Sequence, residues 1–148
     1  MQAGIRRNAA GRLAGLTLLL FVTTAAAAEW ETVGTDSDGN VYSVDVSRIA
    51  RDAGTVSIAV RTEYAKPRRI DAVEADVFVA LDQMVIDCGK VSFAVQSRTL
   101  VAADGTEIPR GSTPRADLRF RAAAAGSMSE SIVRFACGPA AGGKDKSG

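Results

Sequence analysis

The chain has 148 residues, 47% of them hydrophobic, with 18 basic and 17 acidic side chains and no histidine. That length suits one domain with a modest core. A near-neutral balance gives no electrostatic case for general nucleic-acid binding, and without histidine the commonest general base and metal ligand is missing.

The N-terminus reads as an export leader. Arg6, Arg7 and Arg12 make a positive start with no acidic residue, an apolar run follows at 13–22, and the small residues Thr23 to Ala28 come next. The apolar run is half of what a membrane-spanning helix needs, about 20 residues. Ala26 and Ala28 fit the −3 and −1 positions of a signal peptidase site, which places cleavage between Ala28 and Glu29 and makes 1–28 a signal peptide. The surroundings of Arg6-Arg7 lack the twin-arginine consensus. No cysteine stands directly after the junction, where a lipid anchor would attach, and no later stretch is long and apolar enough to span a bilayer. Taking away Arg6, Arg7 and Arg12 leaves 15 basic residues against 17 acidic ones, a net charge of about −2.

Two short strands are expected at 29–34 and 41–46. Between them 35–40 is dense in turn formers. Asp36 and Asp38 fall in that turn, without the full spacing and closing Glu of a calcium loop. Tyr42, Val44 and Val46 share one face. Asp52-Ala53-Gly54 is the next turn, followed by a strict period-two strand at 55–64, with Val56, Ile58, Val60, Thr62 and Tyr64 on one side. Lys66-Pro67-Arg68-Arg69 is expected to end it. The apolar segment 74–88 reads as a strand that is either buried on both faces or switches faces at a bulge near Asp82-Gln83. Its partner is 91–101, reached through a tight turn at Gly89-Lys90. Asp104-Gly105 signals a hairpin. A strand starts near Thr106, a loop covers 109–114, and 116–122 alternates again.

The period then changes. Met128, Ile132, Phe135 and Ala136 form one helical stripe. Ser127 and Glu130 make an S-x-x-E capping box, and Gly138-Pro139 ends the helix, so it spans 128–137. On a helical wheel Cys137 falls opposite Met128, which leaves its direction unexplained. The tail, 139–148, reads as disordered. The fold class is α+β: an antiparallel sheet of about six strands with one C-terminal helix packed on it, as a single domain over 29–138. In an exported protein the two cysteines, Cys88 and Cys137, most simply pair, the alternative being two buried thiols. Closing that 49-residue loop stabilises by about 4 kcal/mol in the chain-entropy model.

The chemistry is sparse. There is no Ser-x-x-Lys, no glycine-rich phosphate loop and no paired acids. Two cysteines without histidine make a poor metal site. No enzyme activity, cofactor or metal is expected. Two basic groups are candidate ligand patches: Lys66, Arg68 and Arg69, then Arg119 and Arg121 beside Asp117. The plain reading of each is a solvated surface. The sharper reading is a patch for an acidic glycan or an acidic protein surface.

The chain resembles the bacterial surface-adhesin protein E family from Trp30 to Cys137. The carriers are Trp30-Glu31-Thr32-Val33-Gly34, Tyr42-Ser43-Val44-Asp45, Ser47-Arg48-Ile49 with Arg51, and Gly54-Thr55-Val56. Tyr64 with Pro67, Ile86-Asp87-Cys88, Asp104-Gly105 and Phe135-Ala136-Cys137 follow in order. The resemblance implies a six-stranded antiparallel sheet with a disulfide-held C-terminal helix. It implies, for the adhesin that gives the family its name, binding to host matrix and serum proteins such as vitronectin and laminin. The chain departs from the family where a lipid-attachment cysteine and a Trp and Pro before the helix would stand; Phe120 and the alanines 122–125 occupy the latter place. The expectation is thus an exported, non-catalytic binding module with a protein or acidic-glycan partner outside the inner membrane. The second reading is a soluble periplasmic structural or envelope-associated protein.

Overall fold

The computed structural model describes residues 27–138. The tail reading and nearly all of the leader reading lie outside them, while the junction Ala28–Glu29 lies inside.

The first two strands are β1 (Trp30–Thr35) and β2 (Val41–Asp45), paired antiparallel. Asp36 organises the turn between them. Its carboxylate accepts from the backbone N–H of Asp38 at 3.0 Å and of Asn40 at 2.9 Å, and from the Asn40 amide and the Tyr42 hydroxyl at 2.9 Å each. Those four donors explain why the acidic pair here is turn chemistry. Val46 leaves the strand for a 3-10 turn, Val46–Arg48, so it does not continue the face of Tyr42 and Val44. A short strand that the sequence reading missed, β3 (Ala50–Asp52), then pairs with β4 (Thr55–Ile70). Ala53 and Gly54 between them both have positive φ, 42° and 85°. A two-residue hairpin needs that, because its twist must match the strands'.

In β4, Val56, Ile58, Val60 and Thr62 are buried, as the alternation predicts. The basic tetrapeptide does not end the strand. Pairing with β5 (Ala75–Asp87) jumps from Glu63↔Val79 to Arg68↔Val77, then continues to Ile70. Pro67 sits inside that irregularity, where no ladder N–H is required. The strand therefore survives a proline that looked like a terminator.

The ambiguous segment resolves in two ways at once. Val85 and Ile86 are both buried, so the later half of β5 is covered on both faces. The face switch exists but sits at Phe78, the residue skipped between Val77↔Ala102 and Val79↔Val101 in the pairing with β6 (Ser92–Ala102). The irregularity at Gln83/Met84 puts its extra residue, Gln96, on β6 instead. One face of the sheet consequently presents Val77, Ala80, Asp82, Met84 and Ile86 from β5 beside Leu100, Arg98, Val95 and Phe93 from β6.

β7 (Glu107–Ser112) runs through most of the expected 109–114 loop. Conversely, the expected strand over 116–122 is a 3-10 turn, Arg115–Asp117, and a two-residue strand, β8 (Arg121–Ala122). Arg115 explains the loss. It donates to Thr55 Oγ1 at 2.8 Å and to Ser57 Oγ at 3.4 Å, on a strand two away from β6, so this segment crosses the sheet rather than extending its edge. The order is β1-β2-β4-β5-β6-β7, with β3 beside β4 and β8 beside β6.

The helix α1 spans Met128–Cys137. Ser127 Oγ accepts from the Glu130 N–H, while the Glu130 carboxylate reaches back to the Gly126 N–H at 2.7 Å, one residue beyond the usual box partner. Gly138, at φ 76°, closes the helix by donating to the Arg134 carbonyl. Of the expected stripe only Ile132 and Ala136 are buried; Val133, outside it, joins them against Val44, Val56, Ile58, Val60, Met84, Ile86 and Phe93, while Met128 and Phe135 pack partly buried at the margin. Cys137, the last helical residue, bonds Cys88 at the end of β5, with 5.8 Å between the α-carbons. Met128 and Cys137 both flank this cluster from the two ends of the helix, so the wheel position of Cys137 does not keep it from the core.

Candidate functional site

The helix covers only part of the sheet face. Beyond it a second, smaller cluster of Val77, Ala80 and Leu100 is flanked by Tyr64, Ile70, Val73 and Ile108. Between the helix and this far end the face stays open as a groove of about 720 Å³.

Local structure decides what enters the groove. The irregular pairing in β4 carries Tyr64, Arg68, Arg69 and Ile70 to one wall. β6 supplies the floor with Val95, Arg98 and Leu100, Arg110 comes from β7, and Arg119 and Arg121 come from the crossing segment and β8. Six guanidinium side chains thus converge on one depression in a domain whose expected mature charge is slightly negative.

They are not equivalent. Arg98 is locked to Asp82 by two parallel hydrogen bonds, Nε to Oδ1 at 2.6 Å and Nη2 to Oδ2 at 2.7 Å, across one register step of β5 and β6. Asp82 is nearly buried, and its hydrogen bonds raise the pKa of Arg98 further, so this pair is a fixed element of the floor. Arg69 lies 3.8 Å from Asp76, with both side chains exposed. Among the described residues, no carboxylate lies within ion-pair distance of Arg68, Arg110, Arg119 or Arg121. Two of these four are held by aromatic faces: Arg68 sits 5.1 Å from the Tyr64 ring centroid and Arg121 sits 4.6 Å from that of Phe93. Such contacts orient a guanidinium without neutralising it. Phe120, 43% exposed, stands between Arg119 and Arg121 in sequence and adds apolar surface.

The two basic groups singled out in the sequence therefore meet. Arg68, Arg69, Arg119 and Arg121 all line the same groove. Lys66 does not; it lines the adjoining depression with Asp36, Asp38, Asn40 and Pro67, to which Arg68 also contributes. Arg98 and Arg110 were missed. A charged residue on the apolar pattern of each central strand, Asp82 and Arg98, was the available signal, but the match between them depends on the Gln96 bulge. On the adjoining wall, burial followed by the Asp36 hydrogen bond pushes the Tyr42 hydroxyl up to about 12, so it stays a neutral donor.

Chemically the arrangement supplies positive charge, hydrogen-bond donors and an apolar floor. Among the described residues there is no group of three or more Cys, Asp or Glu placed to hold a metal ion. No helix among them is long and apolar enough to cross a membrane. Comparison with individual curated proteins gives no match. The model of the surface-adhesin protein E family, however, matches residues 30–138, from the first strand through the helix cap. With that match spanning both the disulfide-tied helix and the groove beside it, the chain belongs to the surface-adhesin protein E family.

Proposed function

We propose that the protein is an exported, non-catalytic binding module whose arginine groove takes an acidic segment of a partner protein outside the inner membrane. The observation that carries this reading is the set of four guanidiniums that have no carboxylate partner among the described residues, gathered over an aromatic and aliphatic floor. An acidic peptide with apolar neighbours satisfies both features, since charge steers the encounter and desolvated apolar contact holds it. Host matrix and serum proteins of the kind bound by the family's name-giving adhesin are the partners to test first.

The test is binding of residues 29–148 to immobilised vitronectin, laminin and heparin at low and physiological salt. The expected result is saturable binding to a protein ligand that weakens as salt rises and drops at least tenfold in Arg110→Glu/Arg119→Glu. Binding to heparin alone would redirect the proposal to an acidic glycan. Failure to bind any of them at either salt would overturn it. Fractionation of the native cell separates surface display from the envelope-associated reading: protein found only in soluble periplasm supports the latter.

A further inference from the structure

At the opposite end of the sheet from the groove, the first residue after the expected leader junction meets a buried acid. Asp45 is 1% exposed. Its Oδ1 accepts from the Glu29 N–H at 3.1 Å, and from both the backbone N–H and the hydroxyl of Ser47. Its Oδ2 is buried and makes no hydrogen bond among the described residues, although the Arg48 Nε stands 3.4 Å away on a side chain that is 63% exposed. The Glu29 carbonyl accepts in turn from the Val46 N–H at 2.8 Å, so the backbone of Glu29 is clamped on both sides.

A buried carboxylate is costly unless it is both paired and hydrogen-bonded, and Arg48, at ion-pair distance on a largely exposed side chain, leaves Oδ2 without a hydrogen bond. The peptide nitrogen of Glu29 offers a single hydrogen and no charge. A chain that begins at Glu29 offers at the same atom an ammonium with three hydrogens, able to serve both carboxylate oxygens.

We propose that leader removal completes the fold: hydrolysis of the Ala28–Glu29 bond by a signal peptidase leaves an α-ammonium on Glu29 that ion-pairs with buried Asp45. Water is the co-reactant. Its hydroxyl goes to the Ala28 carbonyl carbon, a hydrogen goes to the Glu29 nitrogen, and that amine takes a further proton from solvent. The precursor, with a neutral amide here, stays short of full stability, as a chain that must cross a membrane unfolded requires. The groups facing Asp45 are Ser47 and Arg48 from the following turn and Glu29 itself, so the new ammonium is the cation held closest by the backbone.

The full precursor, expressed with export and purified from the periplasm, supplies the processed protein, and intact mass gives its first residue. That form is compared by thermal unfolding with two others: one N-acetylated on Glu29, which keeps an N–H but no charge, and one that retains Ala27-Ala28. The processed form is expected to melt higher than both by about 5 °C or more, and the gap should close in Asp45→Asn. If Asp45→Asn does not fold, the three wild-type forms still decide. A first residue other than Glu29, or equal melting of all three forms, would overturn the proposal.

Discussion

The two ends of the inner sheet face solve the same problem differently. At one end α1 lies over Val44, Ile58, Met84 and Phe93 and is tied down by Cys88–Cys137. At the other, a smaller cluster around Leu100 is left without a helix, and its border is crowded with arginines. The covered end spends its surface on stability. The open end keeps surface available, and its guanidiniums repel one another except where Asp82 holds Arg98 and, at the exposed rim, Asp76 stands 3.8 Å from Arg69. Stability and the proposed recognition surface are thus separated along one sheet, with Asp82–Arg98 at the border between them.

Removing the disulfide should break this contrast most severely. Cys88→Ala/Cys137→Ala is expected to lose about 4 kcal/mol, measured by urea unfolding, because the 49-residue loop is no longer closed. Next comes Ile132→Ala, which empties the helix–sheet contact at a residue 4% exposed and should cost about 2–5 kcal/mol. The cysteines do not line the groove, so anion binding by whatever fraction of the disulfide-free variant stays folded should keep its affinity, whereas Ile132 lines a depression shared with Arg68, Arg98 and Arg121 and its loss should weaken binding modestly. At the border, Asp82→Ala leaves Arg98 without its partner. Arg98 is 47% exposed and recovers some hydration, so the loss should be about 1–2 kcal/mol. The freed guanidinium should tighten anion binding, which titration of the variant with an acidic peptide would show. In the open half, Arg110→Glu/Arg119→Glu should move stability by less than about 0.5 kcal/mol while abolishing most binding. If that pair unfolds the domain instead, the division between the two ends is wrong. The smallest effect concerns the turn that adjoins the groove. Hydrogen bonds from Asn40, Tyr42 and Asp38 hold the Asp36 carboxyl below its ordinary 3.8. A lowered folded pKa means that this contribution is present above 3.8 and is lost as pH falls through the depressed value. Amide protection across 36–42, taken relative to the intrinsic exchange rate at each pH, should therefore fall below about pH 3.8 with the core unmoved.

Local patterns reveal the covered end well. The alternation of Val56 to Thr62, the core positions Ile132 and Ala136, and the Ser127/Glu130 and Gly138 caps each act within a few residues, and the structure places them as their spacing requires, with Val133 buried where Phe135 was expected. The open end was far less legible. Lys66-Pro67-Arg68-Arg69 looked like a stop and is strand; 116–122 looked like a strand and is a crossing. Both errors arise where bulges and a long-range contact, Arg115 to β4, outweigh local preference.

Local pattern is enough to read the strand-then-helix order, the helix limits, the two cysteines available to pair, and the basic side chains that a site could use. Period, capping and composition are local properties, and they survive in the one-dimensional string. Strand pairing and packing, by contrast, bring Arg68 and Arg121, far apart in the chain, into one groove, make Phe78 rather than Asp82-Gln83 the residue that flips the faces of β5, and set Glu29 against Asp45. Those results depend on register, and a one-residue shift between strands moves every later side chain to the opposite face.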